Sequence, residues 1–251
     1  MTIRGVVFDW GGTLTPWHDV DLMAQWYAYS EVYDPENAAA LARRLHESEQ
    51  HRWRRQRESD GAVGTGALDS LFLDEGIDIN GARHLRALGN YLDFWAPHTY
   101  ADPDAKDVLA ALKHRGYLVG VLSNTMWPRA HHREVFARDD LDDLIDASVY
   151  TSELSVAKPH ADAFRAILEA LGLQPEEAVF VGDRLWDDVL GAQQVGMHTI
   201  WIPHSQIPAE QVPDGSARPD ATAHRLLDVF TLVESWQPSG AESWPAPGTD
   251  S

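Results

Sequence analysis

The stretch Ile3-Arg-Gly-Val-Val-Phe-Asp9-Trp-Gly-Gly-Thr13-Leu-Thr15 restricts the possible folds of this chain more than any other. An apolar run of buried-strand length brings one carboxylate to its C-terminal end, and Gly11 and Gly12 then let the backbone turn tightly around it. In an open parallel α/β sheet, ligands gather outside the carboxyl ends of the strands, so Asp9 stands where chemistry is done. Taken alone, the same residue reads equally well as a surface acid opening a strand-to-helix turn.

The rest of the chain supplies the other strands. Beyond Asp102-Pro103 the pattern alternates. A helix over about Asp104 to His114 leads into a strand over Tyr117 to Leu122 that ends at Ser123-Asn124-Thr125. Strands follow over Ala147–Tyr150, Ala178–Gly182 and His198–Ile202, with Pro159 suiting the first turn of a helix that runs to Leu171. A helix bearing Asp187 and Asp188 follows Asp183, and a last helix opens at Pro219-Asp220 and runs to about Trp236. This alternation predicts an α/β fold, a Rossmann-like three-layer α/β/α core with a parallel sheet. Between Trp17 and His98 the apolar spacing turns helical (Leu22, Met23, Trp26, then Leu41, Leu45, later Leu85, Leu88, Leu92), which predicts an inserted α-helical domain. The expected division is a core of residues 1–16 and 99–236, a helical cap of 17–98, and a flexible C-terminal tail of 237–251 rich in Pro, Gly, Ser and Ala.

With 251 residues, 44% hydrophobic and 24% charged, the chain can bury one well-packed domain plus a smaller one. It has no cysteine, which excludes disulfides and thiolate metal sites. No signal-peptide pattern opens the sequence and no apolar run nears the ~20 residues that span a bilayer, so a soluble, cytoplasmic protein is expected. A formal charge of -19 disfavours nucleic acid and anionic membranes as partners. The oligomeric state, monomer or homodimer, is left open.

Asp9, Ser123, Lys158, and Asp183 with Asp188 thus stand just after separate strands or at a helix start. The order Asp-x-x-x-Thr-Leu, strand-Ser-Asn, Lys-Pro and Gly-Asp-x-x-x-x-Asp-x-x-Gly-Ala resembles the four signatures of the haloacid dehalogenase-like (HAD) hydrolase superfamily, in that family's order, across residues 3 to 202. The resemblance implies a phosphatase type with a helical cap that closes over a small phosphorylated molecule. It implies Asp9 as the nucleophile that takes the phosphoryl group. It implies Mg²⁺ held by Asp9, the backbone carbonyl of Gly11 and Asp183, hard oxygen donors that suit this ion. Lys158 balances the remaining charge, Asp188 arranges Lys158 or metal-bound water, and Asp187 fills a neighbouring polar position. Ser123 and the backbone near Trp10, Gly12, Thr13 and Asn124 hold the phosphoryl oxygens.

Gly11 departs from the pattern. Phosphatases of this superfamily usually carry there a second Asp, which protonates the leaving group and then activates water, help worth ~10²–10⁴ in rate. A glycine keeps the carbonyl and loses the proton carrier. Asp-Trp-x-Gly-Thr looks like the first motif of the phosphonoacetaldehyde hydrolases, but their Schiff-base chemistry needs a cap lysine, and the three lysines here are Lys106, Lys113 and Lys158. The intact Gly182-Asp183 argues against the metal-free dehalogenase branch. There remain a metal-dependent phosphohydrolase with a replacement acid such as His18 or an activated substrate such as an acyl phosphate, and a binding or regulatory protein that turns over little. The cluster Arg52, Arg54, Arg55 and Arg57 around Trp53 either offers an arginine to a substrate anion or, the favoured reading, forms a solvated helix face with Trp53 inward. His131-His132 diverge on a helix and make a poor metal site.

Overall fold

The computed structural model describes residues 2–17, 20–203, 205 and 217–237. Six strands form one parallel sheet in the order β3-β2-β1-β4-β5-β6: β1 (Gly5–Phe8), β2 (Leu118–Ser123), β3 (Ala147–Tyr150), β4 (Ala178–Gly182), β5 (His198–Trp201) and β6 (Ala221–Thr222). β1 lies at the centre, with Phe8 in register with Val121 of β2 on one side and Val181 of β4 on the other. The carboxyl ends of β2, β1 and β4 therefore lie side by side, and Ser123, Asp9 and Asp183 come with them.

Strand alternation sorts the core into two layers. Val6, Phe8, Val119, Val121, Val179 and Val181 pack toward α5 (Ala105–His114), α6 (Arg129–Arg138) and α9 (Leu226–Ser235). Val7, Leu122 and Phe180 pack on the opposite face toward α7 (Ala161–Leu171) and α8 (Gly191–Val195). Helix α7 shows why such segments are helical. Ala163, Phe164, Ile167, Leu168 and Leu171 recur on one buried face, the His160 ring accepts from the Asp162 amide at the start, and Gly172 closes the end at φ 66°.

The insertion is helical as expected: α1 (Leu22–Tyr33), α2 (Ala38–Glu58), α3 (Leu68–Asp74) and α4 (Ala82–Trp95). Its centre is aromatic, with Trp26 against Tyr91 at 5.2 Å and Phe72 at 5.9 Å between ring centroids. The loop Gly61–Gly66 stitches the insertion to the sheet domain. Ala157 N–H donates to Gly61 O at 2.8 Å, Gly64 N–H to Ser155 O at 2.8 Å, and Gln56 Nε2 to Lys158 O at 2.7 Å. A Cβ on Gly61 would lie 2.1 Å from the Ala157 carbonyl oxygen, so this junction needs its glycine.

Three boundaries depart from the sequence reading. Pro159 follows a cis peptide and precedes α7 rather than lying in its first turn, because His160 is the N-cap. Pro219-Asp220 does not open the last helix: the Asp220 carboxylate accepts from Thr199 N at 2.8 Å and Oγ1 at 2.9 Å, which holds the next residues beside β5 as β6. Helix α9 starts only after Arg225, where Asp228 accepts from the amides of His224 and Arg225. Asp187 and Asp188 lie in a π-helical turn, Leu185–Leu190, ahead of α8. His18 and residues 238–251 lie outside the described residues, as does all of the expected tail but Gln237, which donates to Ile3 O at 2.8 Å. No described helix is long and apolar enough to cross a membrane.

Candidate active site

Asp9 leaves the end of β1 with its amide on Val181 O at 2.9 Å, and Asp183 leaves the end of β4 with its carbonyl held by Trp201 Nε1 at 2.9 Å. Lys158 reaches the rim beside Asp9 from the loop before α7. Its Nζ donates to Asp9 Oδ1 at 2.7 Å and to Asp188 Oδ1 at 2.7 Å, with the side chain 2% exposed. The Lys158 main chain is clamped by Asn124, which accepts from Lys158 N at 2.9 Å and donates to Lys158 O at 3.0 Å. Asn124 thus spends its side chain on positioning Lys158. Asp188 is fully engaged, its second oxygen accepting from the Arg184 amide at 2.9 Å.

Asp183 is different. It is buried, and neither carboxylate oxygen has a partner among the described residues. Two bare acceptors away from water cost free energy unless something positive meets them. Oxygens of Asp9, Asp183 and Asp188 lie within 4.8 Å of one another, a set of hard donors of the kind that holds Mg²⁺. Gly12 preserves the arrangement: it sits at φ 99°, and a Cβ there would stand 2.2 Å from Asp183 Oδ2. The residues present therefore fit a small divalent cation.

The electrostatics agree. Burial pushes the Asp9 carboxyl up to about 6 against the pull of Lys158. Burial, then Asp188 and Asp9, hold Asp183 well above the usual carboxylate range. Burial likewise raises Asp187 to about 6. Burial alone would lower Lys158, but Asp188 and Asp9 outweigh it and hold the ammonium above its ordinary value. Two cations thus make the cluster tolerable, Lys158 at Asp9 and Asp188 and Arg184 foremost at Asp183 and Asp187. Lys158→Met is expected to destabilise the metal-free fold at neutral pH by about 3–5 kcal/mol, the cost of breaking a buried pair from one side. Urea denaturation reads this, and Asp188→Asn added to it should recover part of the loss. A single variant as stable as the parent would remove the balancing role.

A cavity of roughly 540 Å³ opens over Asp9, between the sheet's rim and the helical insertion. Asp9, Trp10, Gly11, Ser123, Asn124 and Lys158 line it from below. Gly12, Thr13, Asp183 and Asp188 lie behind that wall, Thr13 fully buried. The arginine cluster divides. Arg52 is tied to Asp74, Ser70 and Thr65 O, and Arg54 and Arg55 face solvent, whereas Trp53 and Arg57 reach the cavity wall. Of the histidine pair, His132 stacks on Tyr150 at 4.2 Å and meets Trp10 edge-on at 4.6 Å, and burial lowers it to about 3, a neutral ring.

Glu49 at the same wall escaped the sequence reading. It accepts from Trp26 Nε1 at 2.8 Å and Gln25 Nε2 at 3.1 Å, and burial pushes it up to about 7. A signal existed: Leu41, Leu45, Glu49 and Trp53 fall four apart, so an acid stands on the apolar stripe of α2.

The family model described as haloacid dehalogenase-like hydrolase matches residues 3–196. The glyceraldehyde 3-phosphate phosphatase of Pyrococcus furiosus is 35% identical over 108 residues, 41% of this chain and 42% of the relative. The (S)-2-haloacid dehalogenase 4A of Burkholderia cepacia is 31% identical over 110 residues, 44% of this chain and 46% of the relative. The chain spans about half the length of the curated relatives it matches. A crystal structure of a HAD phosphatase from Thermococcus onnurineus superposes with a TM-score of 0.65 at 22% identity, covering 92% of this chain and 98% of that one, a likeness of fold.

Proposed function

Because this chain belongs to the haloacid dehalogenase-like hydrolase family, we propose that it is a Mg²⁺-dependent phosphohydrolase of a small phosphorylated molecule, working through an aspartyl-phosphate on Asp9. The observation that carries the reading is the pair of buried Asp183 oxygens, without a hydrogen-bond partner among the described residues, in the same cluster as Asp9 and the Lys158 ammonium. Chemistry on a phosphate needs positive charge at this rim, and a metal-free displacement of halide would leave Asp183 with nothing to bind.

An oxygen of Asp9 attacks phosphorus, and the bond to the leaving oxygen breaks with its electron pair. Water then attacks the same phosphorus and returns the carboxylate. Lys158 holds Asp9 in place and offsets its charge, Asn124 and Asp188 hold Lys158, and Ser123 with the main chain at Trp10 and Asn124 supports the phosphoryl oxygens, whereas the Gly12 and Thr13 amides expected to share that work donate to Thr15 O and Trp10 O and shape the turn instead. When bound at Asp9, Asp183 and the Gly11 carbonyl, the divalent ion supplies charge neutralisation at the phosphoryl group. The helical insertion excludes water over the site.

Gly11 favours one rival, a protein that binds metal and anion with little turnover. Phosphate release from acetyl phosphate separates the two. Release that disappears with chelator and returns with Mg²⁺ is the expected result, and phosphate binding without any release would give the rival the site.

A further inference from the structure

The geometry points to aryl phosphate monoesters, esters whose leaving group is a phenolic ring system, as the substrate class of this site. The inference deepens the phosphohydrolase reading and rests on it. Two independent features converge. The first is the wall. Trp10, Trp17, Trp53, Tyr91, Trp95 and Trp127 line the cavity that opens over Asp9. Trp127 joins Trp10 and Trp95 into one continuous surface, with ring centroids 5.5 Å and 5.3 Å apart. Several of these rings are fixed by their polar ends, Trp95 Nε1 on Gln25 Oε1 at 2.8 Å and Trp127 Nε1 on the Tyr91 hydroxyl at 3.1 Å. Rings held in this way present rigid apolar faces to a ligand. A three-carbon phosphate, such as the name of the Pyrococcus relative describes, would leave most of a space of roughly 540 Å³ and its indole wall untouched.

The second feature is the bare Gly11. It lines the cavity next to Asp9 and brings no proton to a departing oxygen. An alkoxide leaves poorly without one. A phenol ionises near pH 10, as tyrosine does, so a phenoxide departs without a proton. The balance is complete: the Asp9 carboxylate forms its bond to phosphorus, the phosphorus–aryloxide bond breaks, and the aryloxide carries away the electron pair and takes a proton from bulk water. Water then attacks phosphorus, both its protons stay with the phosphate, which leaves as dihydrogen phosphate, and the Asp9 carboxylate is regenerated.

Any phosphatase without an acid favours reactive esters, so the deciding measurement is binding. In the Mg²⁺-loaded protein, 2-naphthylmethylphosphonate, which cannot be hydrolysed, is expected to bind about 10²-fold more tightly than methylphosphonate, since a buried ring removes a large apolar area from water. Titration calorimetry gives both affinities. Trp53→Leu should shrink that preference at least about threefold, and should raise the KM for 2-naphthyl phosphate relative to that for acetyl phosphate by a similar factor. Equal affinity for the two phosphonates, with acetyl phosphate still hydrolysed, would overturn the aryl class and leave the phosphohydrolase standing. Failure to hydrolyse both 2-naphthyl phosphate and acetyl phosphate would overturn both readings.

Discussion

Asp9→Asn is expected to lower turnover of any substrate by roughly 10⁴-fold or more, the size of loss seen when a covalent nucleophile is removed from a hydrolase. The amide is nearly isosteric, so it keeps the place beside Lys158 Nζ, 2.7 Å away in the parent, but its nitrogen and carbonyl cannot take and return a phosphoryl group. The fold should survive. Burial holds the Asp9 pKa at about 6 against 3.8 ordinarily, so folding favours its neutral form, and the ionised carboxylate weighs against the fold increasingly as pH rises from 3.8 through 6. A neutral residue removes that burden, and Lys158 still has Asp188 as partner. In chelator-treated protein the variant should therefore be at least as stable as the parent at pH 8, with the difference closing toward pH 4. Steady-state kinetics and pH-dependent urea curves read the two halves separately. Loss of activity accompanied by unfolding would mean that Asp9 holds the structure rather than doing chemistry.

That experiment tests a residue that the sequence already marked, and the reason is local. A strand's length, its terminal acid and the glycines after it lie within one stretch, so Asp9, Ser123 and Asp183 could be placed at strand ends without knowledge of any contact. Parallel pairing then brought them side by side. What stayed hidden depends on partners far along the chain. Gln56 reaches Lys158 across 102 positions, and Tyr91 receives Trp127 across 36. No periodicity reports such a meeting. The same holds for Asp220, which reads as a helix opener until Thr199 takes its carboxylate. Arg52 and Arg57 look alike in sequence, yet Ser70 and Asp74 claim the first while the second is left at the cavity. Asn124 shows a subtler limit. Its position was legible, whereas the use of its side chain to clamp the Lys158 backbone required the fold.

Gly11→Asp should raise kcat/KM for unactivated alkyl phosphates by ~10²–10⁴, the range of general acid-base help. The structure has room for it. A Cβ at Gly11 meets nothing within 4 Å, in contrast to Gly12, where φ is 99° and Asp183 blocks any side chain. The new carboxyl would stand on the cavity wall beside Asp9, able to give a proton to a departing alkoxide and take one from the attacking water. An aryl ester gains little from the first of these, because its leaving group departs as the anion. The gain should therefore grow with the pKa of the leaving alcohol. Plotted over phenols and alcohols of rising pKa, log(kcat/KM) should fall steeply for the parent and much less for the variant, the two lines meeting at the acidic phenols. Parallel lines, in a variant that folds and binds metal as the parent does, would show that a group already present supplies the proton, and Gly11 would then carry no meaning for the choice of substrate.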